Sequence, residues 1–418
     1  MDRHPVPKRI RNLALPERQL TLGQSLRELE RELEAVQFSG DLLDLTYANT
    51  HAFPPPAWVL PDFVAAASGG GMTYTPYRGD QVVRSAVAES VSAFLQIEID
   101  PDRELILTPG SQAALFVALS AAVGEDDAVA LVDPDYMSDE RILRFLGARI
   151  KHIPLSWRDP SAPPSIDLDV LESAFRDGAS TLVFSNPNNP TGMVLPPSVI
   201  RKVAELVRSY DAMVIVDELY SRLVYDDAPF AHLVAEADMR DRCITLLGPS
   251  KTESMSGYRV GVAVGPAELI DRMEDLLGVS VLRAPAYAQH VLTRWLSDDH
   301  PFVACRVADY QRLRDRTVET LNASGLLHVR PAGGTAYMFP DASAVGYDEQ
   351  TIAKALKAEA GLLVNPGYQF GPRGARHFRI CFAQDETVWD QAMERMLATL
   401  ASLRDQSSTS SASSVAGS

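Results

Sequence analysis

The chain has 418 residues, of which 46% are hydrophobic, and this length and composition allow sizeable cores in two or three domains. Its 55 acidic residues outnumber 39 lysines and arginines, for a formal charge of -16. A nucleic-acid partner is therefore not expected, because such binding depends on clustered cations.

The three cysteines, Cys243, Cys305 and Cys381, are too few and too scattered for a disulfide framework or a metal site such as a zinc site. A reducing, cytoplasmic location is the expectation. The first residues, Met1 to Pro5, lead into charged sequence, and no later apolar run approaches the roughly 20 residues that a membrane span needs. Neither secretion nor membrane insertion is expected.

An amphipathic helix is predicted near the N terminus, where apolar residues recur at helical spacing among charged ones. These residues are Leu22, Leu26, Leu29, Leu33 and Val36. The helix either packs on its own domain or contributes to a dimer contact. From Asp44 to Pro61 the chain is expected to be extended, because the prolines at 54–56 exclude helix. We interpret this stretch as a linker into the main domain.

Helical patterns alternate with short apolar runs between residues 82 and 265. Helices are predicted at Val82–Leu95, Ala113–Val123 and Pro197–Tyr210, and strands at Glu104–Leu107, Ala128–Val132, Thr181–Ser185, Met213–Val216 and Cys243–Leu247. The alternation indicates an α/β fold, in which a mostly parallel sheet lies between helices. In such sheets the loops at the carboxyl ends of the strands build the ligand site.

A smaller α+β domain is predicted at the C-terminal end, after a long helical stretch from Pro266 to Trp295. Its elements are helices at Phe302–Ala323 and Thr351–Ala360, a strand at Thr335–Phe339 and a strand-helix pair from Phe378 to Leu403. The predicted division is an N-terminal arm and helix joining the small domain (1–50), a large domain (51–285), a small domain (286–404) and a tail (405–418). The serine-rich tail cannot bury a core and is expected to be disordered.

Two cations close together in sequence are typical of a site for a phosphate-bearing aldehyde. Lys251 lies in the segment Gly248–Thr252, and Arg259 follows in Ser256–Gly261. A lysine amine can form a Schiff base with an aldehyde, and the fork-shaped guanidinium of arginine suits a phosphate. The chain therefore looks like a pyridoxal-phosphate enzyme, although such a pairing also arises by chance and needs support from other motifs.

Two further motifs supply that support. The segment Asn186–Gly192 forms a rigid turn after a predicted strand, and Asp217 ends the buried strand in Val214–Tyr220. A buried aspartate is costly unless it meets a cationic or hydrogen-bonding partner, and the ring nitrogen of the cofactor would be that partner. Taken alone, the turn is also compatible with an ordinary strand-to-helix connection, and Asp217 with a solvated strand end.

Together the motifs resemble the fold-type I aminotransferases of class I/II, over about residues 44 to 400. The matching positions are Asn189–Gly192, Asp217 with Tyr220, Ser250 with Lys251, Arg259, and Arg379 in Phe378–Ala383. The resemblance implies a seven-stranded-type sheet in the large domain and pyridoxal 5'-phosphate as cofactor. Lys251 would form the Schiff base and later move the proton at the substrate α carbon. Asp217 would keep the ring nitrogen protonated, so that the ring draws electrons from the substrate.

The resemblance assigns the other cofactor contacts as well. Asn189 and Tyr220 would hydrogen-bond the phenolic oxygen of the ring, and Tyr136 would stack on its face. The turn Thr108–Gln112 precedes a helix, so its backbone N–H groups face an anion at a positive helix end. The phosphate ligands implied by the family are Ser111, Gln112, Ser250 and Arg259.

A partner chain and a substrate class follow from two more matches. Tyr74 matches a tyrosine that reaches the phosphate of the neighbouring subunit in this family, which implies a homodimer with shared sites. Arg379 matches the arginine that holds the substrate α-carboxylate through paired hydrogen bonds. An amino acid or keto acid is therefore the expected substrate.

Three places depart from the usual pattern of the family. The segment Tyr47–His51 replaces a glycine, Gly248 stands where a second serine is common, and Arg78 with Tyr77 adds polar bulk beside Tyr74. Candidate substrate-binding residues are Asn49, His51 and Arg78. His51 is either an acid–base group or a residue that only packs or orients its loop. Arg78 is either a ligand for a carboxylate or phosphate or a solvated surface arginine.

The departures matter because the fold determines the cofactor better than the reaction. Transamination is predicted, with a role in a biosynthetic pathway. The alternative is γ-elimination, replacement or cyclisation on an amino acid such as S-adenosylmethionine, because Phe378–Ala383 also looks like the matching segment of aminocyclopropane-carboxylate synthases. A regulatory protein with this fold but no activity would normally lack Lys251 or Asp217, and both are present.

Overall fold

The computed structural model describes residues 7–13, 26–69 and 73–415. The helices are α1 (Lys8–Leu13), α2 (Leu26–Ala35), α3 (Val59–Ser68), α4 (Gln81–Leu95), α5 (Ser111–Ala122), α6 (Met137–Leu146), α7 (Leu168–Arg176), α8 (Pro197–Ser209), α9 (Ala267–Val279), α10 (Ala286–Gln289), α11 (His300–Ala323), α12 (Glu349–Ala360) and α13 (Glu386–Val415). The strands are β1 (Leu43–Asp44), β2 (Leu105–Thr108), β3 (Ala128–Asp133), β4 (Arg149–Ser156), β5 (Ser165–Ile166), β6 (Ala179–Ser185), β7 (Met213–Asp217), β8 (Cys243–Leu247), β9 (Gly261–Val264), β10 (Tyr337–Met338), β11 (Leu362–Leu363), β12 (Asn365–Pro366) and β13 (Phe378–Cys381). In these ranges, no helix is both long enough and apolar enough to cross a bilayer.

The large domain is built on an eight-stranded sheet in the order β2-β9-β8-β7-β6-β3-β4-β5. Strands β4, β3, β6, β7 and β8 pair in parallel, whereas β9 runs antiparallel to both of its neighbours and the short edge strand β5 runs antiparallel to β4. The prediction of an α/β fold with a mostly parallel sheet is confirmed. The sheet has one strand more than the seven-stranded type because β5 extends its edge.

Both faces of this sheet are covered. Along β3, Val129 and Leu131 pack into one core cluster, whereas Ala130 and Val132 pack into the other. Helices α5 and α9 contribute to the first cluster, and α4 and α8 contribute to the second. Because successive side chains of a strand point to opposite faces, a sheet that is covered on both sides needs nearly continuous apolar strands, and central strands such as β3 and β8 meet this need.

The small domain holds a three-stranded antiparallel sheet in the order β10-β13-β12, packed with α11, α12 and α13. The N-terminal segment reaches this domain, because β1 pairs in parallel with β11 and α2 lies against α12. Leu29 is buried in this contact, which favours packing of the predicted N-terminal helix on its own chain. Leu22 lies outside the described residues.

Two of the predicted elements need correction. The single helix expected from Pro266 to Trp295 is wrong: α9 ends at Val279, Leu282 has a left-handed φ of 66°, and Pro285 precedes the short helix α10. Ala288 and Trp295 are buried in the core of the large domain. Packing of residues 288–296 in this core favours a domain boundary later than 285, and the boundary itself stays a prediction.

The other correction concerns the C-terminal tail. Composition predicts disorder from residue 405, but α13 continues to Val415. The hydroxyls of Ser408 and Thr409 donate to the carbonyls of Arg404 and Asp405 one turn earlier, so these polar side chains are satisfied within the helix. A buried first half, with Trp389 and Leu403 in the core, supports this extension. Residues 416–418 lie outside the described part.

Sequence patterns also missed several elements, namely α1, α3, α6, α7, β1, β4, β5, β9, β11 and β12. Helix α3 begins at Val59, inside the stretch interpreted as a linker. Strand β4 alternates exposed Arg149 and Lys151 with half-buried residues, so it lacks the apolar run that marked the central strands. Strand β9 places Arg259 next to the phosphate ligands predicted at residues 111 and 112, as described below.

Candidate active site

The direction of the strands brings the sequence motifs to one edge of the large sheet. Because β3, β6, β7 and β8 are parallel, their carboxyl ends meet at the same edge. Tyr136, Asn189, Asp217 and Lys251 follow or end these four strands in that order. Strand β9 is antiparallel to them, so its first residue lies at this edge and Arg259, just before it, does too.

A cavity of about 390 Å³ opens at this edge, between the large sheet and the small domain. The predicted site residues that line it are Ser111, Gln112, Tyr136, Asn189, Asp217, Tyr220, Ser250, Lys251, Arg259 and Arg379. The remaining lining residues are Thr46, Tyr47, Leu115, Met137, Leu219, Ser256, Tyr337 and Asn365. Residues that are far apart in sequence therefore form one pocket of a size that suits a small organic ligand.

Asp217 is the acidic group of the cavity. Burial raises the pKa of its carboxyl to about 6, although the N–H of Leu219, 3.0 Å from Asp217 Oδ1, and the charge of Lys251 act in the opposite direction. No ion pair within 4 Å joins Asp217 to a cation among the described residues. A cationic ring nitrogen placed against this carboxyl would supply the missing charge.

Tyr220 and Lys251 line the same cavity as Asp217. Lys251 Nζ is 5.9 Å from the centroid of the Tyr220 ring, and the edge of Tyr337 packs on the same ring at 5.8 Å. The Tyr220 hydroxyl is buried without a well-formed hydrogen bond in the described residues. Burial raises the pKa of this hydroxyl well above its ordinary value, with a further contribution from Tyr337. A neutral phenol here can donate to an oxygen of a bound ligand.

The opposite end of the cavity is a corner for an anion. Helix α5 starts after Gly110, which has a φ of 85°, and no side chain caps its first turn. Arg259 approaches this turn: its Nη2 lies 3.4 Å from the carbonyl of Pro109, and its Nη1 donates to Ser256 at 2.8 Å. Free N–H groups at a helix start, together with a guanidinium, form a natural phosphate site.

Two glycines make the approach of Arg259 to α5 possible. A Cβ added to Gly110 would lie 2.3 Å from Arg259 Nη2, and one added to Gly261 would lie 2.7 Å from the backbone nitrogen of Ser111. At Gly248, by contrast, an added Cβ would meet the Ser111 hydroxyl at 3.4 Å, an ordinary contact. The departure from the family pattern at Gly248 therefore leaves the corner intact but without a side-chain donor at that position.

Arg379 forms the small-domain wall of the cavity. It is 5% exposed, and its guanidinium donates to Asn189 at 2.8 Å, to Asn365 at 2.7 Å and to the carbonyl of Thr46 at 2.9 Å. The guanidinium also lies over the ring of Tyr337, 4.0 Å from its centroid. Among the described residues, no carboxylate forms an ion pair with Arg379, and its Nε has no partner. The positive charge is therefore available to an anionic ligand.

Asn365 and Tyr337 are functional-site residues that sequence patterns missed. Asn365 is the register partner of Arg379 in the antiparallel sheet, and Tyr337 pairs with Cys381, two residues along the same face. Cross-strand neighbours share a face, so the register brings all three side chains together. No spacing in the sequence reveals this, because β10 and β12 have only two residues each.

Arg78 is predicted to be either a ligand for an anion or a solvated surface residue, and the structure instead places its buried side chain in two ion pairs. It is 8% exposed and pairs with Asp271 and with Glu274 at 2.6 and 2.7 Å. Its guanidinium also donates to the carbonyl of Asp102. Arg78 is therefore neither a solvated surface arginine nor a wall of the cavity. Two carboxylates already occupy the guanidinium, and substrate binding by Arg78 stays a prediction.

Asn49 and His51 also lie outside the cavity. The side-chain oxygen of Asn49 accepts from the backbone N–H groups of His51 and Ala52, at 2.9 and 3.1 Å, and this closes a local turn. His51 is exposed. Their substrate-binding roles stay predictions, whereas Thr46 and Tyr47, just before this turn, line the cavity.

Tyr74 projects from the surface. It is 82% exposed, and Arg283 lies over its ring at 4.5 Å and over the ring of Tyr77 at 4.3 Å. This position is outside the cavity of its own chain.

Comparison with known proteins gives consistent matches over most of the chain. The sequence profile described as aminotransferase class I and II matches residues 42–396. A probable aspartate/prephenate aminotransferase of Thermus aquaticus is 31% identical over 91% of this chain and 96% of its own length. An arginine–pyruvate transaminase of Pseudomonas aeruginosa is 27% identical over 90% and 94%. The crystal structure of an aspartate aminotransferase from Rhodobacter sphaeroides superposes with a TM-score of 0.84 at 36% identity, covering 90% of this chain and 96% of that one.

Gly261→Ala is expected to destabilise the chain, because its Cβ would overlap the backbone of Gly110 and Ser111. Overpacking of this kind typically costs about 1–3 kcal/mol. The free energy of unfolding from urea titration measures the effect. Gly257→Ala is the matched control, because an added Cβ there meets nothing within 4 Å. Equal stability of the two variants would contradict the close approach described for this corner.

Proposed function

The chain belongs to the class I and II aminotransferases, and from this we propose that the cavity at the sheet edge is where it moves the α-amino group of an amino acid to a keto acid. Members of the family depend on pyridoxal 5'-phosphate, so the chain is a pyridoxal-phosphate-dependent transferase. Its relatives described above carry aminotransferase or transaminase names, and the alternative of γ-elimination or cyclisation is not favoured. The observation that carries the proposed site is the convergence of Lys251, Asp217 and Arg379 on one cavity.

The residues present fit this cofactor. The anion corner at Arg259 and the start of α5 suits the phosphate, with Ser111, Gln112 and Ser250 beside it. Asp217 suits the ring nitrogen, and the buried Tyr220 hydroxyl suits the phenolic oxygen together with Asn189. Tyr136, held by a 2.9 Å hydrogen bond from its hydroxyl to Gln112, suits the ring face. When bound, the cofactor supplies an aldehyde for amines and a ring that withdraws electrons.

Lys251 has two proposed tasks, namely to hold the cofactor through its amine and to move a proton at the substrate α carbon. It is the one lysine among the described residues that line the cavity. It is half-buried in the cavity, close enough to Asp217 that its charge lowers the pKa of that carboxyl. A lysine in such a position can serve as nucleophile and then as acid and base.

Arg379 is proposed to bind the α-carboxylate of the substrate. Its carbonyl and amide partners orient the guanidinium without neutralising it, and Tyr337 covers one face. A carboxylate with two oxygens can accept paired hydrogen bonds from such a fork, which lysine does not offer. The substrates are therefore proposed to be an amino acid and a keto acid.

We propose a homodimer in which Tyr74 reaches the partner's phosphate corner. Large apolar side chains that are exposed in this chain include Leu60, Val64, Val82, Val279, Val281, Leu282 and Tyr287, and Leu282 directly precedes Arg283, which lies over the ring of Tyr74. Ring contacts of Phe63 with Tyr287 and with Tyr258, at 5.1 and 5.3 Å, connect this surface to Arg259. Large exposed apolar patches are unusual on monomers and favour an interface.

A cytoplasmic location and a biosynthetic role are also proposed. The three cysteines are free, with Cys243 and Cys381 buried and Cys305 exposed, as suits a reducing compartment. The biosynthetic role rests on the amino-acid chemistry alone.

Lys251→Ala is expected to abolish the visible absorption band of the bound cofactor that borohydride removes, and to lower kcat at least about 10²-fold. Spectroscopy and amino-group exchange between an amino acid and a keto acid measure both effects. The control is Lys202→Ala, an exposed position on α8. A band that survives in Lys251→Ala would assign the cofactor to another lysine. Release of methylthioadenosine from S-adenosylmethionine, without exchange, would overturn transamination itself.

Arg379→Lys is expected to raise KM for both amino acid and keto acid by about 30-fold or more, which corresponds to roughly 2 kcal/mol of lost binding. Steady-state kinetics with both substrates measures the change. Arg373→Lys, an exposed position nearby in sequence, is the matched control. An unchanged KM in Arg379→Lys would show that the α-carboxylate binds elsewhere.

Replacing Val64 and Val279 together by glutamate is expected to convert the dimer to monomers, because burying two unpaired charges per chain is costly. Analytical ultracentrifugation measures the mass in solution. Val170→Glu, at a 38% exposed position away from this surface, is the control and should leave the dimer intact. A monomeric unmodified chain, or a variant that stays dimeric, would contradict the proposed interface.

A further inference from the structure

Asp135 is a buried carboxyl next to the site that none of the proposed steps uses. It is 2% exposed and lies just after β3, one residue before Tyr136. Its Oδ1 accepts from the Tyr136 N–H at 2.8 Å and from the Ser185 hydroxyl, and its Oδ2 accepts from the Ser185 N–H at 2.9 Å. The carboxyl thus joins the turn after β3 to the end of β6.

Ser185 passes this connection to the next turn. Its hydroxyl oxygen accepts from the backbone N–H of Asn189 at 3.1 Å and from the Asn188 side chain at 3.4 Å. The side-chain oxygen of Asn189 in turn accepts from Arg379 at 2.8 Å. A continuous chain of hydrogen bonds therefore runs from Tyr136 through Asp135, Ser185 and Asn189 to Arg379.

We propose that Asp135 is a positioning residue, which acts through Ser185 to hold Tyr136 and Asn189 at the distance that the cofactor ring and the substrate carboxylate require. It touches neither in this arrangement, because it lies behind Tyr136 and does not line the main cavity. Buried networks of this kind hold their members in one arrangement when every polar group is satisfied. Positioning groups behind a site matter because small misplacements at the reacting atoms reduce binding and rate.

The charges around Asp135 agree with this role. Asp139, 2% exposed, and Asp217 face it, and no ion pair among the described residues joins Asp135 or Asp139 to a cation. Burial raises the pKa of Asp135 to about 8, against the effect of its three hydrogen bonds, and raises that of Asp139 well above its usual range. Burial raises the pKa of Asp217 less, to about 6. Asp217 is the member of the group that lines the cavity, where the ring nitrogen is proposed to lie.

Asparagine is an informative replacement for Asp135 because of this hydrogen-bond geometry. Asp135→Asn keeps the size of the side chain, but it turns one acceptor into a donor that opposes the Ser185 N–H. Ser185→Ala removes the hydroxyl link and leaves Asp135 in place. If Asp135 acts through Ser185, the two changes break the same connection, and the double variant adds little to either one.

This inference rests on the proposed function, and the experiment separates the two. Loaded enzyme is prepared as wild type, Asp135→Asn, Ser185→Ala and the double variant. We measure the dissociation constant of pyridoxal 5'-phosphate from its visible absorption, and kcat and KM for the amino acid. Absence of a cofactor band and of amino-group exchange in the wild type would reject the proposed function, whereas their presence allows the variants to decide on Asp135.

Each single variant is expected to raise both the cofactor dissociation constant and KM about tenfold, with kcat within about threefold, and the double variant to stay within about twofold of the worse single one. Effects that multiply to about 100-fold, or constants that do not move, would overturn the proposal. If Asp135→Asn does not fold, Ser185→Ala tests the proposal by itself. A KM and a cofactor dissociation constant that stay at wild-type values in Ser185→Ala would then overturn the proposed role of the Asp135–Ser185 connection.

Asp167→Ala is the matched control for a general loss of stability. The Asp167 carboxylate caps α7 by accepting from the Val170 N–H at 3.0 Å, and it does not line the site. Its removal destabilises a helix end as cap losses do, without touching the hydrogen-bond chain. Both constants should stay at wild-type values in this variant. An equal rise in Asp167→Ala would show that the effects follow stability and not position.

Discussion

The shared direction of β3, β6, β7 and β8 is the constraint on which the site depends. Parallel strands place their carboxyl ends at one edge, and both faces of the sheet are covered by helices, so the edge is where polar side chains can converge. Strand β9 runs antiparallel to β8, so it begins at this edge, and Arg259 lies there just before its first residue. One ladder of strands thereby brings together residues from position 111 to position 259.

The cavity separates its charges, and this separation organises the proposed chemistry. Asp217 lies at the sheet edge without an ion-pair partner, Arg259 lies at the start of α5, and Arg379 lies on the small-domain wall with neutral partners. Each charge is held by backbone or amide groups that orient it but leave it available to a ligand. A ligand with a cationic ring nitrogen, a phosphate and a neighbouring carboxylate would satisfy all three, which is the basis for the proposed binding of cofactor and substrate in this cavity.

The errors of prediction come from contacts that local patterns do not contain. Residues 266–295 have a helical pattern, but Leu282 adopts a left-handed conformation and Trp295 is drawn into the core of the large domain. Arg78 stands among polar residues in sequence, yet Asp271 and Glu274 from a distant helix neutralise it. The serines of the tail cannot form a hydrophobic core, but they can continue a helix whose first half is buried in the core, as in α13.

The sequence by itself determined the α/β class, the cofactor family and the candidates Lys251, Asp217, Asn189, Arg259 and Arg379, because each depends on a local motif that follows or ends an element with a clear pattern. Only the tertiary structure decided that Asn365 and Tyr337 join Arg379, and that Asn49, His51 and Arg78 do not face the cavity. It also decided the link from Asp135 to Asn189 through Ser185. Strand register and side-chain burial determine these contacts, and both arise from pairings between segments that are far apart along the chain.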